Sequence, residues 1–196
     1  RVNYPHHASF LYQAQADILK KMGNVSAAVR LLDEAIKSLS DDPELIYAEV
    51  LLLDPHRDGN KLDQRLKRLL EIEPNSPTYL NAYAYTLAIQ NRRLSEARRY
   101  AERALDNAPE QASILDTYGY ICFLQNDFDQ AVIALEKAYT LSRSIKIGSR
   151  YARAVYMQGD VQKFHQVLQN LKANHPDATE LKQLNGLVLP EFIHQS

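Results

Sequence analysis

Apolar and small side chains recur along this chain at the spacing of helices. Residues seven apart, which is two helical turns, lie on one face of a helix. Five such pairs stand beside predicted turns: Ala28 and Ala35, Leu62 and Leu69, Ala97 and Ala104, Ala131 and Ala138, and Phe164 and Leu171. Another amphipathic stretch begins about sixteen to twenty residues before each pair. The pattern predicts five pairs of helices.

The helix pairs repeat with a nearly constant period. Repeats begin at Ser9, Pro43, Pro77, Ala112 and Ile145, so that successive starts lie 34, 34, 35 and 33 residues apart. A sustained period near this length is typical of helix–turn–helix units that stack into a solenoid. The predicted repeats are 9–42, 43–76, 77–111, 112–144 and 145–178. Residues 1–8 are expected to form a tail or the end of a preceding repeat, and 179–196 a capping helix and tail.

Small residues and prolines stand at fixed places in these repeats. The eighth residues are Ala16, Val50, Ala84, Gly119 and Ala152, and prolines near repeat ends are Pro74, Pro109 and Pro176. Small residues let two helices approach closely, and proline ends the second helix. The pattern resembles the tetratricopeptide-repeat family over about residues 9 to 178. The resemblance implies an all-α fold, a right-handed superhelical solenoid of five repeats with a C-terminal capping helix.

Repeat 2 departs from this pattern. Pro55 cannot continue a helix interior, so we expect its first helix to end near Asp54. Leu62 and Leu69 replace the usual small residues of its second helix, which predicts looser or shifted packing. After Pro176, the segment 177–188 reads as one more helix, suited to cap the solenoid.

Composition narrows the classes of function. The formal net charge is −1, so no overall field favours nucleic acid or an anionic membrane. No apolar run approaches the roughly 18 residues that span a bilayer, and the single cysteine, Cys122, excludes an intrachain disulfide. We therefore expect no nucleic-acid partner and no membrane insertion by these residues, while the oligomeric state stays open. Because the chain starts at Arg1 and not at Met, we also expect a fragment or a processed product.

The residues that usually carry chemistry are scattered. His6 and His7 are adjacent but lack a third ligand at metal spacing, and no phosphate-binding loop occurs among the six glycines. Cys122 falls at a core position. A broken basic run is interpreted as a solvated outer face: Arg92, Arg93, Arg98, Arg99 and Arg103. The sequence predicts no catalytic residue, no cofactor and no metal site, and hence no enzyme.

The resemblance implies that the inner positions of each first helix line a concave groove. In repeats 3 to 5 these positions hold aromatic, amide, hydroxyl and basic side chains suited to a protein or peptide partner. The predicted protein-binding residues are Asn81, Tyr85, Thr117, Tyr120, Phe123, Lys146, Arg150, Arg153 and Tyr156. The inner tyrosines either bind a partner or only pack between repeats.

Charge changes sign along the predicted groove. Residues 110–142 carry a net charge of −4 and residues 143–176 a net charge of +5. One subset of the family grips the C-terminal carboxylate of a peptide with five polar or basic side chains. Only Lys146 and Arg150 match that set here, so a full carboxylate clamp is not expected, but a cationic end of the groove is.

Two segments resemble a narrower group. Residues 81–88, which read Asn-Ala-Tyr-Ala-Tyr-Thr-Leu-Ala, and residues 114–120 look like Gram-negative tetratricopeptide lipoproteins that act as adaptors of periplasmic carboxy-terminal processing proteases. The resemblance implies a periplasmic scaffold that recruits a protease and its substrates, held at the outer membrane by a lipid anchor outside this chain. The alternatives are a cytoplasmic scaffold or co-chaperone that binds extended peptides, and the repeat region of a larger enzyme.

Overall fold

Helices account for the secondary structure of the chain. The structure is a computed structural model that describes residues 5–39 and 42–187. These residues form eleven α-helices and no strand: α1 Pro5–Lys21, α2 Val25–Ser38, α3 Pro43–Val50, α4 Gly59–Ile72, α5 Pro77–Ile89, α6 Leu94–Asn107, α7 Ala112–Leu124, α8 Phe128–Ser142, α9 Ile145–Gln158, α10 Val161–Asn174 and α11 Glu180–Asn185. Consecutive helices from α1 to α10 form five antiparallel pairs, numbered repeats 1 to 5. None of the described helices is long and apolar enough to cross a bilayer.

Side-chain caps fix where the helices begin. Asp42 accepts hydrogen bonds from the amides of Glu44 and Leu45 at 2.9 and 3.4 Å, at the start of α3. Asn24 and Asp160 cap α2 and α10 in the same way. Such caps satisfy amide groups that a first helical turn leaves unpaired. The first helix, α1, begins at Pro5, four residues before the predicted repeat start at Ser9.

Close helix contact depends on the small residues. Ala28, Ala97 and Ala131 are fully buried, as the predicted pattern requires. At Gly119 in α7, an added Cβ would stand 2.6 Å from Cγ of Leu135 in α8. Only a glycine permits this separation, so the eighth position of repeat 4 sets the distance between its two helices.

Repeat 2 ends its first helix early. The helix α3 stops at Val50, four residues before the predicted end at Asp54. The Asp54 carboxylate instead accepts hydrogen bonds from the amides of His56 and Arg57, at 2.9 and 2.8 Å, and so stabilises a turn. Leu62 and Leu69 of α4 are 2% and 0% exposed. The larger side chains are therefore packed in the core beside a first helix of only eight residues.

A polar contact joins each of repeats 3 to 5 to the repeat before it. Its centre is the seventh residue of the repeat, which is a tyrosine in repeats 3 to 5. The Tyr83 hydroxyl donates to Asp63 of α4 at 2.5 Å, and the Tyr151 hydroxyl donates to Glu136 of α8 at 2.6 Å. Arg98 of α6 donates to the Tyr118 hydroxyl at 3.2 Å. Each tyrosine thus ties a first helix to the preceding second helix.

Repeat 2 uses a carboxylate at the same place. Glu49 is fully buried, with Lys61 at 2.5 Å and Arg65 at 2.5 Å from its two oxygens. The same two bases pair with Asp33 of α2, both at 2.6 Å. The two cations offset part of the cost of burying the Glu49 carboxylate, but burial still raises the pKa of Glu49.

The basic run of α6 corrects a prediction from the sequence. Arg98 pairs with Asp127 at 2.9 Å, Arg93 pairs with Asp63, and Arg103 donates to the carbonyl of Pro74 at 2.7 Å. Arg93 and Arg103 are exposed, as the interpretation of a solvated outer face requires, but Arg98 is half-buried, so the interpretation was wrong for Arg98. The long side chains of the three arginines span the distance that separates neighbouring helices.

The last helix covers the end of the solenoid. The segment predicted as a helix over 177–188 forms α11 over six residues, Glu180–Asn185. Leu181 and Leu184 of α11 are 6% and 0% exposed and belong to the same apolar cluster as α9 and α10. Residues 188–196 lie outside the described residues.

Candidate functional site

The predicted groove contains a cavity of about 270 Å³ between α7, α9 and α11, here called the groove cavity. Its lining combines aromatic, basic and acidic side chains: Tyr120, Phe123, Leu135, Lys146, Ser149, Arg150, Arg153 and Glu180. Five of these residues are among the nine predicted from the sequence. The structure therefore brings together residues from repeats 4 and 5 and the capping helix.

Arg150 lies at the centre of the lining, but its charge is balanced within the chain. Its Nη1 is 2.5 Å from Oδ2 of Asp116, and the two side chains are only 16% and 12% exposed. Its guanidinium carbon lies 4.4 Å from the ring centroid of Tyr120 and 5.8 Å from that of Tyr85. Burial alone would lower the pKa of Arg150, but Asp116 outweighs burial and raises it. Arg150 therefore packs within the site, with its charge already paired by Asp116.

Lys146 and Arg153 are the exposed cations of the groove cavity. The Lys146 ammonium lies 5.8 Å from the ring centroid of Tyr85, and Arg153 donates to the amide oxygen of Gln183 at 2.5 Å. Among the described residues, no carboxylate lies within 4.0 Å of either cation. Glu180 lines the same cavity and accepts a hydrogen bond from Thr179. Both cations are therefore exposed to solvent, and the acidic side chain of Glu180 lines the same cavity.

Four predicted residues do not line the groove cavity. Thr117 is 2% exposed and its hydroxyl donates to the Ser113 carbonyl at 3.0 Å, so its predicted role as a donor to a partner is wrong. Asn81 is half-buried, and its Oδ1 is buried without a hydrogen-bond partner. Tyr156 is half-buried, with its ring 5.5 Å from that of Phe164. Tyr85, the fourth, reaches the site through Lys146 and Arg150.

The site also contains residues that sequence reasoning missed. Asp116 neutralises Arg150, and the two residues are 34 positions apart, one period of the repeat. A search for opposite charges one period apart would have found this pair. Ser149 stands at an inner-face position but was not among the nine predicted binding residues. Glu180 and Gln183 come from α11, which was predicted as the capping helix, but no pattern in the sequence placed these two polar side chains beside the groove.

The described residues give little support to a metal site or to a reactive cysteine. No three His, Cys, Asp or Glu side chains converge there as metal ligands. The side chains of His6 and His7, and all of His194, lie outside the described residues. The core placement predicted for Cys122 is confirmed, since its side chain is fully buried. Burial raises the pKa of this thiol, which holds it in the unreactive neutral form.

Comparison with known sequences identifies the repeats. The sequence profile described as "Tetratricopeptide repeat" matches residues 66–144. Residues 66–144 therefore contain tetratricopeptide repeats. A TPR repeat-containing protein of Pseudomonas aeruginosa, PA4667, is 29% identical over 138 residues, which are 70% of this chain and 23% of that protein. The protein O-mannosyl-transferase Tmtc2 of Drosophila melanogaster is 33% identical over 97 residues, which are 47% of this chain and 10% of that protein. The chain thus spans less than a quarter of either relative.

Solved tetratricopeptide-repeat structures share this fold. PilF of Pseudomonas aeruginosa superposes with a TM-score of 0.73 and 16% sequence identity, covering 92% of this chain and 98% of PilF. The predicted fold class, a right-handed all-α solenoid, is confirmed. Tetratricopeptide repeats form scaffolds for protein–protein interaction, because their stacked helices present an extended concave surface.

Proposed function

We propose that this chain is a non-catalytic scaffold that binds a segment of a partner protein in the groove of repeats 3 to 5. The observation that carries the proposal is the pairing of two kinds of surface in one cavity. Lys146 and Arg153 offer exposed charge, and Tyr120 and Phe123 offer half-buried aromatic area beside them. Aromatic and arginine side chains supply much of the energy of protein interfaces.

The geometry favours a segment with an acidic group next to an apolar residue. The partner's carboxylate, from a side chain or a chain terminus, would pair with Lys146 and Arg153. Its apolar neighbour would pack on Tyr120 and Phe123. Arg150 contributes by holding the Tyr120 ring, since its own charge is satisfied by Asp116.

A narrower role is proposed from the resemblance of residues 81–88 and 114–120. On this reading the partner is a periplasmic carboxy-terminal processing protease or its substrate, and the full-length protein is a lipid-anchored adaptor at the outer membrane. A second candidate is the repeat region of a larger enzyme, which the likeness to the mannosyl-transferase Tmtc2 favours. The third candidate remains a cytoplasmic scaffold or co-chaperone.

Peptide selection tests the binding site without a known partner. Peptides selected from a random 12-residue library on the wild-type chain are expected to carry an acidic group beside an aromatic or aliphatic residue. The double variant Lys146→Ala/Arg153→Ala should bind them roughly tenfold or more weakly at low salt, by fluorescence anisotropy, with an unchanged Tm. The matched control is Arg92→Ala/Arg99→Ala, which removes the same charge from two exposed residues elsewhere.

Equal losses in the two double variants would contradict the site, since they would show a general effect of net charge. Selected peptides without acidic residues would contradict the proposed chemistry. The adaptor role needs its own test, in which a purified carboxy-terminal processing protease is passed over the immobilised chain. Failure to bind the protease, with acidic peptides still bound, would reject the adaptor role and leave the scaffold proposal standing.

A further inference from the structure

The first helix of the solenoid leaves apolar side chains uncovered. In α1, Leu11 is 59% exposed and Ile18 is 58% exposed, and Met22, directly after the helix, is 74% exposed. These residues are separated by seven and four positions, so they lie along one face of the helix. Together with Gln15 on the same face, they are called the α1 stripe.

The same repeat positions are covered everywhere else in the chain. Counted from Ser9, Leu11 is the third residue of its repeat and Ile18 is the tenth. The third residues of the later repeats are all buried: Leu45, Tyr79, Ile114 and Ile147. Their tenth residues are buried in three cases and half-buried in one: Leu52, Thr86, Ile121 and Ala154. Only in repeat 1, among the described residues, does this face lie open.

A preceding second helix provides the cover in each later repeat. The helices α2, α4, α6 and α8 contact α3, α5, α7 and α9 in turn. Ile114 of α7, for example, packs with Ala104 and Leu105 of α6. No second helix precedes α1 within residues 5–39 and 42–187.

The polar contacts of repeat 1 also differ from those of the later repeats, as Gln15 shows. It is the seventh residue of repeat 1, at the place of Tyr83, Tyr118 and Tyr151, each of which bonds to a charged residue of the preceding second helix. Glu49, at the same place in repeat 2, pairs with bases of α4 in its own repeat. Gln15 itself is exposed, and no hydrogen bond joins it to any described residue. The α1 stripe therefore has both the apolar and the polar features of an inter-repeat contact.

We propose that the α1 stripe is the docking face for a further helical repeat, whose second helix lies along α1 as α8 lies along α9. The docked helix would place small or aliphatic side chains on Leu11 and Ile18, and a charged or amide side chain within reach of Gln15. A second copy of this chain fits less well in a head-to-tail stack. Its C-terminal end presents the capping helix α11, whose leucines are already buried.

The test extends the chain by one of its own repeats. Residues 112–144, whose second helix covers α9, are joined directly to Ser9, so that the junction copies the natural step from 144 to Ile145. Ile18→Cys is introduced into the extended protein and into the original 196-residue chain, and the rate of labelling by a thiol reagent is measured. The rate should fall roughly tenfold or more in the extended protein, because labelling then requires the docked helix to open.

Asp17→Cys is the matched control. Asp17 is an exposed neighbour on α1 that lies off the stripe and lines the groove, so its labelling should be equally fast in both proteins. Equal labelling of Ile18→Cys in the two proteins would overturn the proposal. Protection that rises with concentration in the original chain, together with a dimer in sedimentation, would assign the stripe to a second copy and would also overturn it.

A second measurement covers the case in which labelling is obscured by poor folding. Leu11→Glu/Ile18→Glu should leave the Tm of the original chain unchanged, because both side chains are exposed there. In the extended protein the same change should lower the Tm, since it buries two charges in an apolar contact. An unchanged Tm in the extended protein would contradict docking on this face.

Discussion

Replacing Arg150 by leucine should destabilise the fold before it affects binding. The change leaves Asp116, with 12% of its side chain exposed, as a carboxylate without a cation, and its Oδ1 already lacks a hydrogen bond. Removing one partner of a buried ion pair costs about 3–5 kcal/mol. Because this pair keeps some contact with water, we expect about 2–4 kcal/mol, including the lost contact with the Tyr120 ring.

Urea unfolding followed by circular dichroism at 222 nm measures this loss. With a typical m-value, the midpoint should fall by about 1 M or more. Asp116→Leu alone should also destabilise the chain, whereas the double variant Arg150→Leu/Asp116→Leu should regain at least about 1 kcal/mol relative to the sum of the single changes. A single Arg150→Leu variant within about 0.5 kcal/mol of wild type would refute the assignment of Arg150 to an internal pair. Binding tests would then have to include Arg150 together with Lys146 and Arg153.

Three further predictions concern stability. Gly119→Ala should destabilise the chain by about 1–3 kcal/mol, although alanine favours helices, because its Cβ would meet Leu135. The control Gly59→Ala should be nearly neutral, because its Cβ meets only the end of a flexible side chain. A Gly119→Ala variant with a raised Tm in thermal unfolding would contradict this prediction. Burial alone would raise the pKa of Asp63, but hydrogen bonds from Lys67, Tyr83 and Arg93 lower it from 3.8 to about 2. Asp63 therefore stabilises the fold by about 1–2 kcal/mol above about pH 4, after allowing for solvent screening, and this contribution is lost as the pH falls through 2. Asp63→Asn should flatten that part of the acid-unfolding curve. An unchanged curve would exclude the effect. Leu184→Ala should lower the free energy of unfolding by about 2–3 kcal/mol and expose the end of repeat 5 to proteolysis, because Leu184 is fully buried. Equal rates of digestion of the variant and the wild type would argue against α11 as a cap.

Periodicity made the helices predictable. Ala28, Ala97 and Ala131 are fully buried as their spacing required, and helices begin at Pro43 and Pro77. Such signals are local, because each depends on residues within one or two helical turns. The end of α3 was harder, since the carboxylate of Asp54 stabilises a turn that competes with further helix.

The candidate site was predicted only in part, because side chains compete for partners across repeats. Thr117 was expected to face a partner, but its hydroxyl bonds to its own helix. Arg98 was expected on the outside, but it reaches Asp127 in the next repeat. Inner-face spacing placed Lys146 and Arg153 in the groove, but it considered each repeat by itself and so did not pair Arg150 with Asp116, one period away. Contacts such as that of Arg98 with Asp127 follow no repeat period, because they depend on the reach of a long side chain in three dimensions.

The seventh residues of the repeats also act against incorrect assembly. Repeats of similar shape are prone to stack out of order while a chain folds, because their apolar faces are nearly interchangeable. Here one contact differs from the others. Tyr83 and Tyr151 each donate to a carboxylate of the preceding second helix, whereas repeat 2 has the carboxylate of Glu49 at the equivalent place. If repeat 2 took the place of repeat 3 beside Asp63, two acids would face each other where a tyrosine and an acid belong, so the chemistry of this junction disfavours that incorrect order.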